Sequence, residues 1–336
     1  MVPALAVAAD LAADGSEVVF AGGNRAEAEL VPAAGYELVR FDVTGLDRRS
    51  PLKALKAAVQ ALGATARAWR LLGELRPQAV MGGGGYVAGP VGLAAVLRRR
   101  PLVLTEADSH LGLTNRLLAP FARRVCLAFP TSGLEPPRYL VTGRPSPPAF
   151  ADRAAARERF GVGDGVPVVV VVGGSLGARS INEAAIQAFG QAGDLEVIHA
   201  AGDRDLDLLR SREVGPGYRL FGYIDDFGQA LAAADLVVSR SGGSVFEIAA
   251  AGRPAVLVPY PHAAGDHQAG NAAWMADAGA AVTIEDSRLD AETLGATVRG
   301  LLSDSRRLEA MAQASASLAR PDAAREVADQ LREAAR

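Results

Sequence analysis

The 336-residue chain holds one cysteine, four histidines and only 5% aromatic residues, and its formal net charge is just −3. A single thiol, Cys126, excludes an internal disulfide framework and any zinc cluster built on several cysteines. Four scattered histidines argue against a histidine-rich metal site. No cationic start leads into an unbroken apolar run long enough for a secretory leader or a membrane-spanning helix. The apolar runs are short and punctuated, as in a cytosolic chain, which still leaves a membrane surface open as partner. With 49% hydrophobic residues and so little net charge, general disorder is excluded.

What the chain has in quantity is glycine (37) and proline (19), over a length that suits two domains with their own cores. That mix fits many short strand–turn–helix units better than a coiled coil or a helical solenoid. The small mean charge hides a split: residues 1–150 carry +5 and residues 151–336 carry −8. A basic half beside an acidic half points to an anionic partner for the first half. Nucleic acid is not expected, since neither aromatic–basic interleaving nor a reading-helix motif accompanies the charge.

Short apolar runs predict strands at 17–22, 79–82, 101–106 and 124–129, and again at 166–173, 195–200, 218–222, 235–240, 254–259 and 280–284. Several are apolar throughout, as expected of strands covered by helices on both faces. Helical stretches such as 52–75, 180–192 and 243–251 separate them, so two α/β units follow. The proline-rich GRPSPPAF (143–150) restricts helix and removes backbone donors, placing a domain connection there. The expected domains are 1–148 and 149–320, with 321–336 as a closing helix. The start is unusual, because the first helix (about 3–13) feeds the strand at 17–22 with no strand and glycine turn before it. The expectation is a chain that begins inside a longer natural one.

Several loops could carry chemistry. In VVVVVGGSLGARSINEAA (168–185), a buried strand ends in Gly173, Gly174, Ser175 and Gly177 before a helix. Glycines let the backbone approach a ligand, leaving amides and a helix N-terminus to face a phosphate; a plain strand–helix turn is the alternative. It is neither a GxGxxG nor a Walker A motif. A second glycine loop holds Arg240, Ser241, Gly242, Gly243 and Ser244, with Glu247 at capping-box spacing from Ser244. Glu247 would close the helix turn or accept hydrogen bonds from sugar hydroxyls, and Arg240 would be a surface charge or a phosphate partner. His262, Asp266, His267 and Gln268 follow another strand end, where polar recognition of a hydroxylated ligand is more economical than a metal. In the first half, Gly82–Gly85 precede a helix, and Glu106, Asp108, His110 and Asn115 crowd one span. Glu106 or Asp108 could take a proton from an incoming hydroxyl, or cap the next helix.

The helix from Leu52 to about Leu75 places Leu52, Leu55, Val59, Leu62, Ala66 and Trp69 on one stripe, with Lys53, Lys56, Arg67 and Arg70 mostly off it. The plain reading is a sheet-covering helix with a solvated basic face. The sharper one is contact with an anionic lipid surface through residues 52–72, with Trp69, Leu71 and Leu72 entering the interface.

Eight stretches in order resemble the MurG-type peptidoglycan glycosyltransferases of glycosyltransferase family 28. They are PALAVAADLAADGSEVVFAG, AELVPAAGYEL, MGGGGYVAGPVGLAA, TEADSHLGLTNRLL, VVVGGSLGARSIN, FGYIDDF, RSGGSVFEIAAAGRPAVLVPYP and GDHQAGNA. They cover nearly the whole chain. The resemblance implies an α/β fold with two Rossmann-like domains of the glycosyltransferase B (GT-B) type, acceptor domain first and donor domain second. It implies transfer of N-acetylglucosamine from UDP-N-acetylglucosamine to the C4 hydroxyl of the muramoyl sugar of lipid I, with inversion, forming lipid II for peptidoglycan. No tightly bound cofactor or metal is implied. Lipid I, and possible cell-wall synthesis and division proteins, are the implied partners, at the cytoplasmic side of the cell membrane.

Residue by residue, the resemblance implies a donor site of Gly174, Ser175, Ile224, Arg240, Ser244, Glu247 and Gln268. Of these, Glu247 is the ribose ligand, the Ile224 backbone reads the uracil edge and Gln268 meets the donor sugar. Glu106 and Asp108 are the catalytic candidates, and Gly83, Gly84, Tyr86 and Arg144 the acceptor or diphosphate candidates. Three departures stand out. The family's opening strand and GGTGGH loop have no counterpart before Met1, which implies a missing central strand, part of the acceptor site lost and poor activity. Asp108 replaces an asparagine. Pro147 replaces an arginine, whose charge Arg144 would restore. The RSGGSVFE loop is also one residue shorter than in some members. Rival expectations are a UDP-sugar glycosyltransferase with another acceptor, a UDP-sugar 2-epimerase, or an inactive nucleotide-binding scaffold.

Overall fold

The computed structural model describes residues 1–43 and 51–336, with side chains at all of these except 51–58 and 264. The expected side-chain roles of Leu52, Lys53, Leu55 and Lys56 therefore lie outside the described residues. The chain divides into two compact units, Met1–Ser146 with Arg320–Arg336, and Pro147–Ala319.

Unit 1 runs α1 (Val2–Ala13), β1 (Val19–Gly22), α2 (Glu27–Ala33), β2 (Glu37–Arg40), α3 (Pro51–Leu75), β3 (Val80–Gly82), α4 (Gly85–Leu97), β4 (Leu102–Glu106), α5 (Leu113–Leu118), β5 (Arg124–Leu127) and β6 (Tyr139–Val141). Its strands are parallel and form two separate sheets, β1-β2 and β3-β4-β5-β6. A cleft of about 1240 Å³ is lined by both β1 and β3, with α1 and α4 contributing Val7 and Val91.

Unit 2 runs α6 (Arg153–Phe160), β7 (Val168–Val172), α7 (Arg179–Phe189), β8 (Glu196–Ala200), α8 (Asp203–Arg210), β9 (Tyr218–Phe221), α9 (Phe227–Ala233), β10 (Leu236–Ser239), α10 (Ser244–Ala250), β11 (Ala255–Leu257), α11 (His267–Asp277), β12 (Ala281–Thr283), α12 (Ala291–Leu302) and α13 (Ser305–Ser317). One parallel sheet has the order β12-β11-β10-β7-β8-β9. This is the doubly wound arrangement, in which the first strand of the unit lies at the centre. β7 is five valines, all buried, because helices cover both faces of the central strand. Each such side chain contributes roughly 1.5–3 kcal/mol relative to an exposed one. At the other end of the sheet, Arg153, Arg157 and Arg253 donate to the carbonyls of Ala232, Ala233 and Ala234, the last turn of α9 and its cap. Arg153 and Arg157 also pair with Asp235, so these cations close a helix C-terminus.

The closing helix, α14 (Ala323–Ala335), belongs to unit 1. Its Val327, Ala328, Leu331 and Ala334 form a buried cluster with Val7, Val103 and Cys126. Arg332 fastens it to α1 by donating to Asp10 and Asp14. Burial pushes the Cys126 thiol up to about 12, which leaves it inert.

All ten expected strands are present. The runs did not announce β2 and β6, which are short and mostly half-exposed. The larger correction concerns α3. Its buried side is Ala64, Ala68 and Leu72, whereas Val59, Leu62 and Trp69 are 60%, 70% and 46% exposed. The stripe expected to face the sheet therefore points away from the core. Leu72 is buried and Leu71 packs against the core, so neither belongs to an outer interface.

Candidate functional site

In unit 2, the chain leaves β7 towards β8 on one side and leaves β10 towards β11 on the other. Loops after β7 and β10 therefore diverge, opening the crevice where such sheets bind ligands. The turn after β7 carries Gly174 and Gly177, both at positive φ (87° and 72°), and the exposed Ser175. A Cβ on Gly177 would lie 1.9 Å from the carbonyl oxygen of Ala201, so no larger residue fits there. The turn ends in α7, whose N-cap Ala178 offers no side-chain cap, so the first helical amides remain for a ligand or water.

The loop after β10 is built differently from the sequence expectation. Ser244 is the first residue of α10 and its hydroxyl donates to the Arg240 carbonyl at 3.3 Å, so the Ser244–Glu247 capping box is not formed. Glu247 lies half-buried in the first turn. Arg240 is 8% exposed: it donates to Ser180 Oγ (2.8 Å) and to the carbonyls of Val258 and Pro259, and pairs with Asp286 at 2.6 Å. A guanidinium so placed braces the loops after β10 and β11.

Gln268 sits at the start of α11, with its side-chain Oε1 accepting the Tyr260 amide at 2.9 Å. Its amide nitrogen lies 3.9 Å from where a Gly242 Cβ would stand, which brings Gln268 to the β10 loop. Ser241 of the glycine loop and Asn271, which no motif marks, tie the two loops: Ser241 Oγ donates to the backbone carbonyl of Gln268 (2.7 Å) and Asn271 Nδ2 to that of Ser241 (3.0 Å). Ile224 follows β9 with its side chain buried, which fixes its backbone.

A buried polar chain runs beneath the β7 turn. Tyr218 Oη donates to His199 Nδ1 (2.7 Å), and His199 Nε2 donates to Asn182 Oδ1 (3.0 Å). This tautomer is fixed because Asn182 Nδ2 donates to the Ala201 carbonyl, leaving only its oxygen for the imidazole. Burial pushes His199 down to about 4 and Tyr218 upward, so both stay neutral. Asn182 also reaches Asp205, whose carboxyl Arg204 and then Arg179 hold down at about 2. Nothing in the run DRDLD signals that its middle aspartate is buried.

In unit 1, Glu106 is 9% exposed. Its carboxylate accepts from the amides of Ala107 (3.0 Å), Asp108 (3.3 Å) and Gly112 (2.8 Å) and from Asn115 Nδ2 (3.0 Å). Two of these bonds end on each carboxylate oxygen, so Glu106 shapes the 107–112 loop. Asp108 is half-buried on that loop, and its carboxylate makes no hydrogen bond among the described residues. Asn115 Nδ2 lies 3.8 Å from a Cβ position on Gly84, which brings the Glu106 loop to the glycine turn. Gly83, Gly84 and the 54% exposed Tyr86 line the cleft, as does Met1, whose amine feels the charge of Arg144. Among the described residues no group of three His, Cys, Asp or Glu side chains could hold a metal ion.

Residues 1–127 match the glycosyltransferase family 28 N-terminal domain and residues 168–327 its C-terminal domain. A Moorella thermoacetica protein is 43% identical over 341 residues, spanning 96% of this chain and 92% of that protein. It is a UDP-N-acetylglucosamine–N-acetylmuramyl-(pentapeptide) pyrophosphoryl-undecaprenol N-acetylglucosamine transferase. A Salinibacter ruber protein with the same description is 40% identical, spanning 97% of this chain and 91% of its own. Among solved structures, Acinetobacter baumannii MurG superposes with a TM-score of 0.79 at 31% identity, over 98% of this chain and 95% of that one.

Proposed function

The chain belongs to glycosyltransferase family 28, and from that premise we propose that it transfers N-acetylglucosamine from UDP-N-acetylglucosamine to the C4 hydroxyl of the muramoyl sugar of lipid I, forming lipid II. The observation that carries the reading is near full-length identity of 40–43% to transferases of that description. Unit 2 is the donor unit and unit 1 the acceptor unit.

In the donor unit, the Ile224 backbone reads the uracil edge, Glu247 accepts from the ribose hydroxyls and Gln268 meets the sugar. The diphosphate sits on the Gly174–Ser175 turn and the α7 N-terminus, where amide and hydroxyl donors oppose the charge that grows on departing UDP. The reaction is one displacement: the C4 oxygen forms a bond to the anomeric carbon as the bond to the β-phosphate oxygen breaks, and UDP leaves with the electron pair. Glu106 and Asp108 are the two candidate acids for the proton of the attacking hydroxyl. Glu106 is the glutamate that the family pattern keeps, whereas Asp108 stands where that pattern has an asparagine. Gly83, Gly84, Tyr86 and Arg144 are the contacts for the acceptor diphosphate.

The acceptor's lipid tail places the protein at a membrane surface, on the side where nucleotide sugars are present. No helix among the described residues is long and apolar enough to cross a membrane, so contact is peripheral. Val59, Leu62 and Trp69 supply an outward apolar face on α3, and the Arg98 guanidinium lies 3.8 Å from the Trp69 ring centre. With Leu97 62% exposed beside Arg98, apolar and cationic groups meet as anionic lipid requires.

The test is incubation of the purified chain with UDP-N-acetylglucosamine and a short-tailed lipid I analogue. Disaccharide product appearing in step with UDP release is expected. Donor binding without turnover on any acceptor would leave a nucleotide-binding scaffold, and transfer only to other acceptors would redirect the substrate assignment.

A further inference from the structure

Two arginines outside the assigned donor set are held at the mouth of the unit 2 crevice. Arg179 is the first residue of α7, directly after the β7 turn, and Arg204 is the second residue of α8, after the β8 turn. Those turns touch: a Cβ on Gly202 would lie 2.5 Å from the Gly177 nitrogen. Both guanidiniums converge on one carboxylate. Arg179 Nη2 reaches Asp205 Oδ1 at 2.8 Å, and Arg204 reaches Asp205 Oδ1 and Oδ2 through Nε and Nη2 at 3.2 and 3.1 Å.

The asymmetry of burial gives the arrangement its meaning. Asp205 has 2% of its side chain exposed, while Arg179 and Arg204 retain 59% and 58%. A single ion pair needs one cation, yet here two share one buried anion and both guanidiniums face solvent. Arg179 uses only Nη2 and Arg204 leaves Nη1 unused, so both keep N–H donors for an outside acceptor. Asp205 is itself fixed from below by Asn182, which the neutral His199 and Tyr218 hold in one orientation. The guanidiniums are thus pre-positioned, and less side-chain entropy is lost when they bind.

The direction of the pair follows from the sheet. α7 and α8 begin at the C-terminal ends of β7 and β8, and the turns before them touch at Gly177 and Gly202. Both arginines therefore stand at the strand ends that border the crevice. Planar, bidentate guanidinium donors beside a glycine turn select an anion with several oxygens, and the phosphoryl oxygens of a nucleoside diphosphate fit that demand.

We propose that Arg179 and Arg204, positioned by Asp205, bind the diphosphate of the nucleotide donor and discriminate a nucleoside diphosphate from the uncharged nucleoside. The proposal rests on the donor reading of unit 2 given above. A charge-assisted hydrogen bond lost from each arginine corresponds to roughly a tenfold loss of affinity.

Binding of UDP-N-acetylglucosamine and UDP is measured by calorimetry, and uridine by ligand-observed NMR. The proteins are the wild type, Arg179→Gln, Arg204→Gln, the double variant and Asp205→Asn. Each arginine variant is expected to weaken UDP about tenfold and the double variant about 100-fold, with uridine unchanged. The dependence of UDP affinity on salt becomes shallower. Asp205→Asn keeps both cations but frees them, so UDP weakens while its salt dependence is retained. Circular dichroism and thermal midpoints identify variants that fold. UDP affinity within twofold of wild type in a folded double variant overturns the proposal, as does equal weakening of UDP and uridine. A wild type that binds no UDP-N-acetylglucosamine would remove the donor reading and the arginine pair together. That outcome is distinct from one in which the wild type binds and the variants bind equally well.

Discussion

Gly177 and Gly202 are in backbone contact, so the turns after β7 and β8 form one two-layered platform beneath the proposed diphosphate. Both have positive φ, 72° and 83°, and neither has room for a Cβ. Gly15 provides the contrast, with φ of 86° and nothing within 4 Å of its Cβ position.

Gly202→Ala is therefore expected to abolish measurable UDP-N-acetylglucosamine binding, because the alanine methyl would push the β7 turn upward. Gly15→Ala carries only the conformational cost, about 1 kcal/mol, and should bind the donor like wild type. Calorimetric titration of the two variants side by side separates strain from collision. Equal binding by both would mean the turns can slide apart.

The two acids of the Glu106 loop should respond differently. Asp108→Asn installs the asparagine of the family pattern and is expected to leave kcat, donor affinity and thermal midpoint close to wild type. Glu106→Ala orphans four donors and should lower the midpoint as well as the activity, by roughly 1–3 kcal/mol of stability. Steady-state kinetics paired with thermal melts on both variants reads this out. A kcat about 100-fold lower in Asp108→Asn would place the general base at Asp108.

His199 makes stability depend on pH in a definite window. Its folded value of about 4 is below its ordinary 6.5, so between these the unfolded chain binds a proton that the folded chain refuses. Stability is full above about pH 6.5 and falls as pH drops towards 4, by at most about 3 kcal/mol, then levels off for this group. His199→Gln should flatten that part of the profile in urea unfolding at stepped pH. An unchanged slope would show that other groups govern it.

The outward face of α3 makes a prediction about lipid. Leu62→Ser with Trp69→Ser is expected to weaken binding to vesicles containing anionic lipid several-fold in a flotation assay, without lowering the thermal midpoint. Both side chains already face solvent, so the core loses nothing. Leu72→Ser, one turn away but in the core, should instead destabilise unit 1 by about 2–5 kcal/mol.

The contrast between Leu72 and Leu62 also shows where reading the residues succeeds and fails. Strands at the centre of a parallel sheet must be apolar on both faces, so Val168–Val172 and its neighbours are visible as runs. On α3, hydrophobicity ranks leucine and tryptophan above alanine, but a helix packed closely on another needs small side chains at the contact. Ala64 and Ala68 therefore turn inward and the larger residues turn out. β2 and β6 escaped notice because a short strand with polar ends draws its stability from a partner distant in sequence. The glycine turns, Glu247 and Gln268 were visible as patterns. The bonds of Glu106 and Arg240 were not, because three of the four partners of Glu106 and two of the four of Arg240 are backbone groups, which no side-chain spacing records. The pairing of two arginines on Asp205 likewise depends on α7 and α8 starting side by side.

The position of α14 sets an order of assembly on the ribosome. Unit 2 is continuous, Pro147–Ala319, and can close as soon as its last strand and helices emerge. Unit 1 cannot, because Val7, Val103 and Cys126 lack part of their cover until residues 323–335 arrive. The first unit to be synthesised is therefore the last to be finished. Throughout that interval the Cys126 thiol, inert in the finished fold, is open to reagents, and it can serve as a clock for how long the first half waits.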